Sequence, residues 1–158
     1  MSERNRLKGI FALPLAMWLA IIPMGDWLMP WRPEWVAVAL IYLMFNWSGQ
    51  IGVFVAMAVG LLVDILEGAP VIGQHALGYV AMTYFFVTLA QRFRTFPLVQ
   101  QSIVVGMLVG INLLVVKLTT QLFSYSGAGL SYWFPALSSM LVWPLISMAR
   151  FGRRARNW

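Results

Sequence analysis

The sequence predicts an all-α integral membrane protein, a bundle of six transmembrane helices with N and C termini cytoplasmic. Three observations carry this prediction. Apolar residues make up 61% of the 158-residue chain and charged residues only 10%. Ordinary soluble domains are about 45–50% apolar and need polar cover for their surface. The apolar residues fall into six runs separated by Gly, Pro and Ser punctuation. The basic residues gather at the chain ends and in one short loop, which six crossings place on a single side.

The first run, about 9–29, follows the basic start MSERNRLK. It begins like a signal peptide, but no small-residue cleavage site follows, so it reads as a retained first span. MPWRP separates it from the second run, about 34–47, and WSGQ separates that from the third, about 50–66. These two are short, and the uncharged NWSGQ between them predicts a tight helical hairpin that barely clears the bilayer. The fourth run, about 71–90, follows EGAP; the fifth, about 98–123, follows RFRTFP; the sixth, about 132–149, follows SYSGAG. Each span must pair its own backbone groups in lipid, so each is helical. No period-2 polar alternation suggests a membrane β-barrel. The chain is thus one transmembrane domain, 1–158, ending in a basic cytoplasmic tail, 150–158.

Orientation follows from Lys and Arg. One side carries Arg4, Arg6, Lys8, Arg92, Arg94, Arg150, Arg153, Arg154 and Arg156. The other carries Arg32 with Asp26, Glu34 and Glu67. Positive residues stay in the cytoplasm. Trp27, Trp31, Trp35 and Trp133 then fall near the outer interface and Trp47 near the inner one, as an aromatic belt would. The net charge of +6 belongs to this pattern and does not mark a nucleic-acid binder. The inner arginines, Arg92, Arg94, Arg150, Arg153, Arg154 and Arg156, suit anionic lipid headgroups or a filament surface.

Small residues recur four apart at Ala12, Ala16 and Ala20, at Gly52, Ala56 and Gly60, and at Ser102, Gly106 and Gly110. Such stripes let membrane helices approach closely, against a helix of this chain or of another subunit. Asp64 is the next step on the second stripe. Pro14, Pro23 and Pro144 are expected to kink or end their helices.

Polar residues within the runs are the candidate functional groups. Lys117, Thr120, Gln121 and Ser124 share one face of the fifth run and His75, Tyr79 and Thr83 one of the fourth. With Asp64 all are expected to converge on the outer half of the bundle, and Asp64, His75, Lys117 and Gln121 form the candidate cluster. Charge at mid-membrane costs about 2.5–3.5 kcal/mol on insertion scales, so Asp64 and Lys117 should pair or face a polar cavity. Three readings stand side by side. Asp64 caps the turn at EGAP while Lys117 snorkels outward, or the four residues form a buried functional network, or they contact a small molecule. One histidine and no cysteine offer no metal site. No nucleophile motif or phosphate-cradling loop is present, so no catalytic residue or cofactor is assigned.

Three stretches then point to a family: RPEWVAVALIYLMF at 32–45, GLLVDILEGAPVIGQHALGYVAM at 60–82 and VWPLISMARFGRR at 142–154. Together they resemble MreD, the rod shape-determining membrane protein family of bacteria. The matching positions are Arg32, Pro33 and Trp35, with Gly60, Asp64, Gly68, Gly73, Ala76 and Leu77. The resemblance implies a non-enzymatic scaffold of the cell-elongation machinery in the bacterial inner membrane. Its implied partners are an MreC-like bitopic protein, RodA, PBP2 and MreB, with homo-oligomers possible. It also implies a six-helix fold similar to the substrate-binding subunits of energy-coupling-factor vitamin transporters. A solute-binding transporter subunit is therefore the alternative function. Combined with the small-residue stripe, it places a partner-docking groove at Arg32, Pro33, Trp35, Gly52, Ala56, Gly60, Asp64 and Gly68, with Asp64 orienting the EGAP turn or pairing with Arg32.

Overall fold

A computed structural model describes the backbone of residues 3–23, 25–47, 51–123 and 129–154, and the side chains of that set apart from 3–10, 130 and 149–154. Among the described residues there are six α-helices, two short 3-10 turns and no strand. The helices are α1 (Glu3–Ile21), α2 (Trp35–Asn46), α3 (Val53–Glu67), α4 (Gln74–Phe93), α5 (Leu98–Phe123) and α6 (Phe134–Arg154). Pro14 lies inside α1 and Pro144 inside α6. The expected first run to residue 29 is cut short at Ile21. Pro23 disfavours helical geometry at the residue before it, and the chain turns into a 3-10 segment at Met29–Trp31.

Among the described residues, α5 is the one helix long and apolar enough to cross a membrane by length and composition. At 1.5 Å per residue its 26 residues reach about 39 Å. The 12 residues of α2 reach only about 18 Å, well short of a hydrocarbon core of about 30 Å.

That short helix is the centre of the bundle. It is apolar on every side, and Val36, Ala37, Val38, Leu40, Ile41, Leu43 and Met44 are all buried; a helix with no polar face must be surrounded. α1, α4, α5 and α6 pack around it, while α3, α4, α5 and α6 follow one another as neighbours. Both ends of α2 are held. The Glu34 N–H donates to Ser139 Oγ of α6 at 3.0 Å. At the other end Arg94 Nη2 donates to the Phe45 carbonyl at 3.1 Å and its guanidinium lies over the Phe45 ring. A basic group there suits the negative pole of the helix. Phe45, Phe86, Phe93 and Trp143 close this end in edge-on and tilted contacts, centroids 5.4–6.4 Å apart. Trp31 stacks on Phe134 at 4.5 Å at the opposite end.

The small-residue stripes are used inside the chain. Ala16 is buried in the core, with Ala12 and Ala20 packed against it. Gly60 is where α3 meets α4: a Cβ there would lie 2.4 Å from Ala76 Cα and 2.8 Å from the His75 carbonyl carbon. Gly78 does the same between α4 and α5, with Asn112 Oδ1 where a Cβ would stand. A glycine Cα–H thus points at that oxygen, a weak hydrogen bond common between close helices. Gly106 faces Met140 of α6, but Gly110 and Gly52 meet open space.

These contrasts give a testable pair. Gly60→Ala is expected to destabilise the fold by roughly 1–3 kcal/mol, because the obstacle is backbone and cannot rotate away. Gly110→Ala is expected to stabilise it by about 0.5–1 kcal/mol through lost unfolded-chain freedom. Thermal denaturation of the purified protein in mild detergent measures both.

Candidate functional site

The polar region grows from the turn between α3 and α4. Gly68 takes the left-handed conformation, φ +62°, that ends α3, and Gly73 precedes α4 at φ +101°. Both positions favour glycine because L side chains rarely adopt positive φ, although the space around each is open. The Asp64 carbonyl accepts the N–H groups of Gly68 and Ala69, the latter at 2.9 Å. Its carboxylate turns the other way. Oδ2 accepts the Gly73 N–H at 2.8 Å, and Oδ1 accepts the His75 N–H at 3.1 Å. Gly73 has no side chain to cap α4, so Asp64 supplies the cap from the preceding helix. An anion at the positive end of α4 is also favoured by the helix dipole.

His75 completes the arrangement. Its Nδ1 lies 2.8 Å from Asp64 Oδ1 and its Nε2 3.8 Å from Glu67 Oε2. An ionised carboxylate only accepts, so Nδ1 carries a proton in this contact. Asp64 is 1% exposed, with all its bonds made within the chain. Thr120 Oγ1 donates to Gln74 Oε1 at 2.9 Å and ties α5 to the same helix start.

Beside this turn lies a cavity of about 180 Å³. Arg32, Glu34 and Trp35 line it from the start of α2, Glu67 from the end of α3, Tyr79 from α4 and Pro135 from α6. Glu34 lies within electrostatic range of His75, Glu67 and Arg32. The Trp35 indole N–H is buried without an acceptor among the described residues.

The predicted residues therefore separate into groups. Asp64 and His75 come together. Lys117 does not join them; its ammonium lies over the rings of Tyr132 and Trp133, 5.5 and 5.7 Å from their centroids. Gln121 is exposed. Arg32 makes no ion pair with Asp64 among the described residues, since the carboxylate is engaged by the α4 start, and Arg32, Pro33 and Trp35 line the cavity instead. Of the expected groove, Ala56, Gly60 and Asp64 are buried, and α4 fills it at Gly60. Gly52 precedes α3 and Gly68 ends it. Arg92 and Arg94 are exposed at the far end of α4. The side chains of Arg150, Arg153 and Arg154, and all of Arg156, lie outside the described residues. Sequence reasoning put Tyr79 on the His75 face but did not single out Glu34 and Glu67 as site residues. The signal was there: the two acids flank apolar runs, and Tyr79 stands one turn beyond His75.

Residues 6–150 match the family model of the rod shape-determining protein MreD. The chain belongs to the MreD family. MreD proteins are membrane-associated and take part in rod shape determination; such a family is generally not enzymatic. No solved structure matches the chain.

The Asp64 geometry sets an order of severity. Asp64→Leu leaves two backbone N–H groups and an imidazole N–H without an acceptor, each costing about 1–3 kcal/mol when buried. Asp64→Asn keeps one acceptor oxygen and is expected to cost less than half as much. Melting of the two variants in detergent, beside their accumulation in membranes, checks the ranking.

Proposed function

We propose that the chain is a non-enzymatic, multi-pass scaffold of the bacterial inner membrane that helps maintain rod shape by holding cell-wall synthesis partners together. Its match to the MreD family over residues 6–150 is the observation that carries this reading. Six crossings put both termini and the basic ends in the cytoplasm, where Arg92, Arg94 and the arginines of the tail meet anionic headgroups, each worth about 1 kcal/mol near such a surface. An MreC-like bitopic protein is the first partner; RodA, PBP2 and the MreB filament are the others.

The docking face differs from the one the small-residue stripe suggested. α3 buries one stripe, Ala56, Val59, Gly60, Val63 and Asp64, within the bundle. Its opposite face presents Phe54, Leu61 and Ile65, of which Phe54 is 83% exposed. α3 packs chiefly on α4 and touches α1 only lightly, so it is an edge helix with a free side. A single partner helix packs on that side. The Asp64 turn supports it indirectly, by holding α3 at a set angle to α4.

The chain has no cysteine, which makes the test direct. Phe54→Cys, Leu61→Cys and Ile65→Cys are expected to form disulfides with single cysteines placed in the membrane helix of the MreC-like partner. Leu141→Cys and Leu145→Cys, exposed on α6, are expected to form none. Cross-linking only from α6 would move the docking face, and no cross-link from any helix would count against a helix-docking scaffold.

A further inference from the structure

The cavity beside the α3–α4 turn carries an inference that does not depend on partner docking. Its wall holds both signs of charge. Arg32 lines it, yet its guanidinium makes no hydrogen bond or ion pair among the described residues. Glu34 lines it too; its backbone N–H is used by Ser139, but its carboxylate accepts nothing among the described residues. Glu67 contributes a second carboxylate, engaged only at 3.8 Å by His75. Arg32 and Glu34 stand on one cavity two residues apart and do not close on each other.

An independent feature points to an occupant. Trp35 lines the same cavity beside Tyr79, and its buried indole N–H finds no acceptor among the described residues. Buried N–H groups are normally hydrogen-bonded, and one that is not calls for a missing partner. The volume limits what that partner is. About 180 Å³ is near six water volumes and below the roughly 300–1,000 Å³ of pockets for drug-sized ligands. A helix about 10 Å across cannot enter. A solute of a few heavy atoms can.

We propose that this cavity binds a small zwitterion of the α-amino acid class, with its carboxylate on Arg32 and its ammonium between Glu34 and Glu67, beside the Tyr79 hydroxyl. A simple cation leaves Arg32 unanswered, and a simple anion meets two carboxylates. A molecule with both charges a few ångströms apart satisfies the wall with charge-assisted hydrogen bonds. The cavity is built from the ends of α1, α2, α3 and α6 and the early turns of α4, all at the end of the bundle away from Arg92 and Arg94. The solute therefore enters from the outer face.

Equilibrium dialysis of the purified full chain in detergent, with radiolabelled glycine, alanine, serine and lysine, tests the proposal. At least one is expected to bind saturably at one per chain. Methylamine and acetate, each carrying half of the charge pattern, are expected to bind at least about tenfold more weakly. Arg32→Gln and Glu34→Gln are each expected to weaken the amino acid by about tenfold, whereas Thr88→Ala, exposed at the inner end of α4, leaves it unchanged. If either charge variant fails to fold, Tyr79→Phe keeps the ring and is expected to weaken binding roughly two- to tenfold. Three results overturn the proposal. Absence of saturable binding at millimolar concentration means the cavity holds water only. Methylamine binding as tightly as the amino acids removes Arg32 from the site. Binding that survives every one of the variants places the solute elsewhere.

Discussion

The carboxylate of Asp64 is the constraint on which the α3–α4 end of the bundle rests. A helix that starts in a low-dielectric setting has N–H groups with nothing to bond, and the chain places glycine where the capping side chain would stand. Asp64 answers that need from nine and eleven residues away, through the N–H groups of Gly73 and His75. Its carbonyl meanwhile ends α3. One residue thus stops one helix and starts the next. The angle between α3 and α4 follows from it, and so does the backbone contact at Gly60, which only an absent side chain permits. The burial of this acid is a structural role first: at 1% exposed, with three donors of its own chain on it, the carboxylate is out of reach of a partner chain.

A second constraint, separate from Asp64, lets the bundle be organised around a helix too short to cross a bilayer. α2 is wrapped by α1, α4, α5 and α6, so its ends meet protein rather than lipid. Ser139 and Arg94 supply the hydrogen bonds that water would supply at an exposed end. The space left where α2 begins becomes the polar cavity. Its charges gather there because helix ends are the places in a membrane bundle where polar side chains have something to bond. The proposed docking and the proposed solute site then rest on separate surfaces: the free face of α3 is apolar, and the half-open cavity is lined by charged groups.

Lys117 shows how a plausible spacing argument fails. Its face was shared with Thr120 and Gln121, and Thr120 does reach the α4 start through Gln74. Lys117 itself lies over Tyr132 and Trp133. An ammonium over aromatic faces is stabilised without a counter-ion. No charge rule along α5 could distinguish that from pairing with Asp64, because the rings arrive from a segment that sequence spacing does not place.

By itself the sequence determined the all-helical class, six apolar segments, their breaks at Pro and Gly, and the charge asymmetry between the two ends. Those properties are local: hydropathy, turn chemistry and backbone pairing act within one segment. It also marked Asp64 as the residue that governs the turn after α3. What the tertiary structure decided was the assignment of faces. In a soluble helix the apolar side points inward, but a membrane helix is apolar nearly all round, so its pattern does not say which side meets a neighbour. The Gly52–Ala56–Gly60 stripe could serve a partner or the chain itself, and the approach of α4 to Gly60 shows that the chain uses it. Glu34, Glu67 and Tyr79 were visible as residues but not as one site, because they belong to three helices that only packing brings to one cavity.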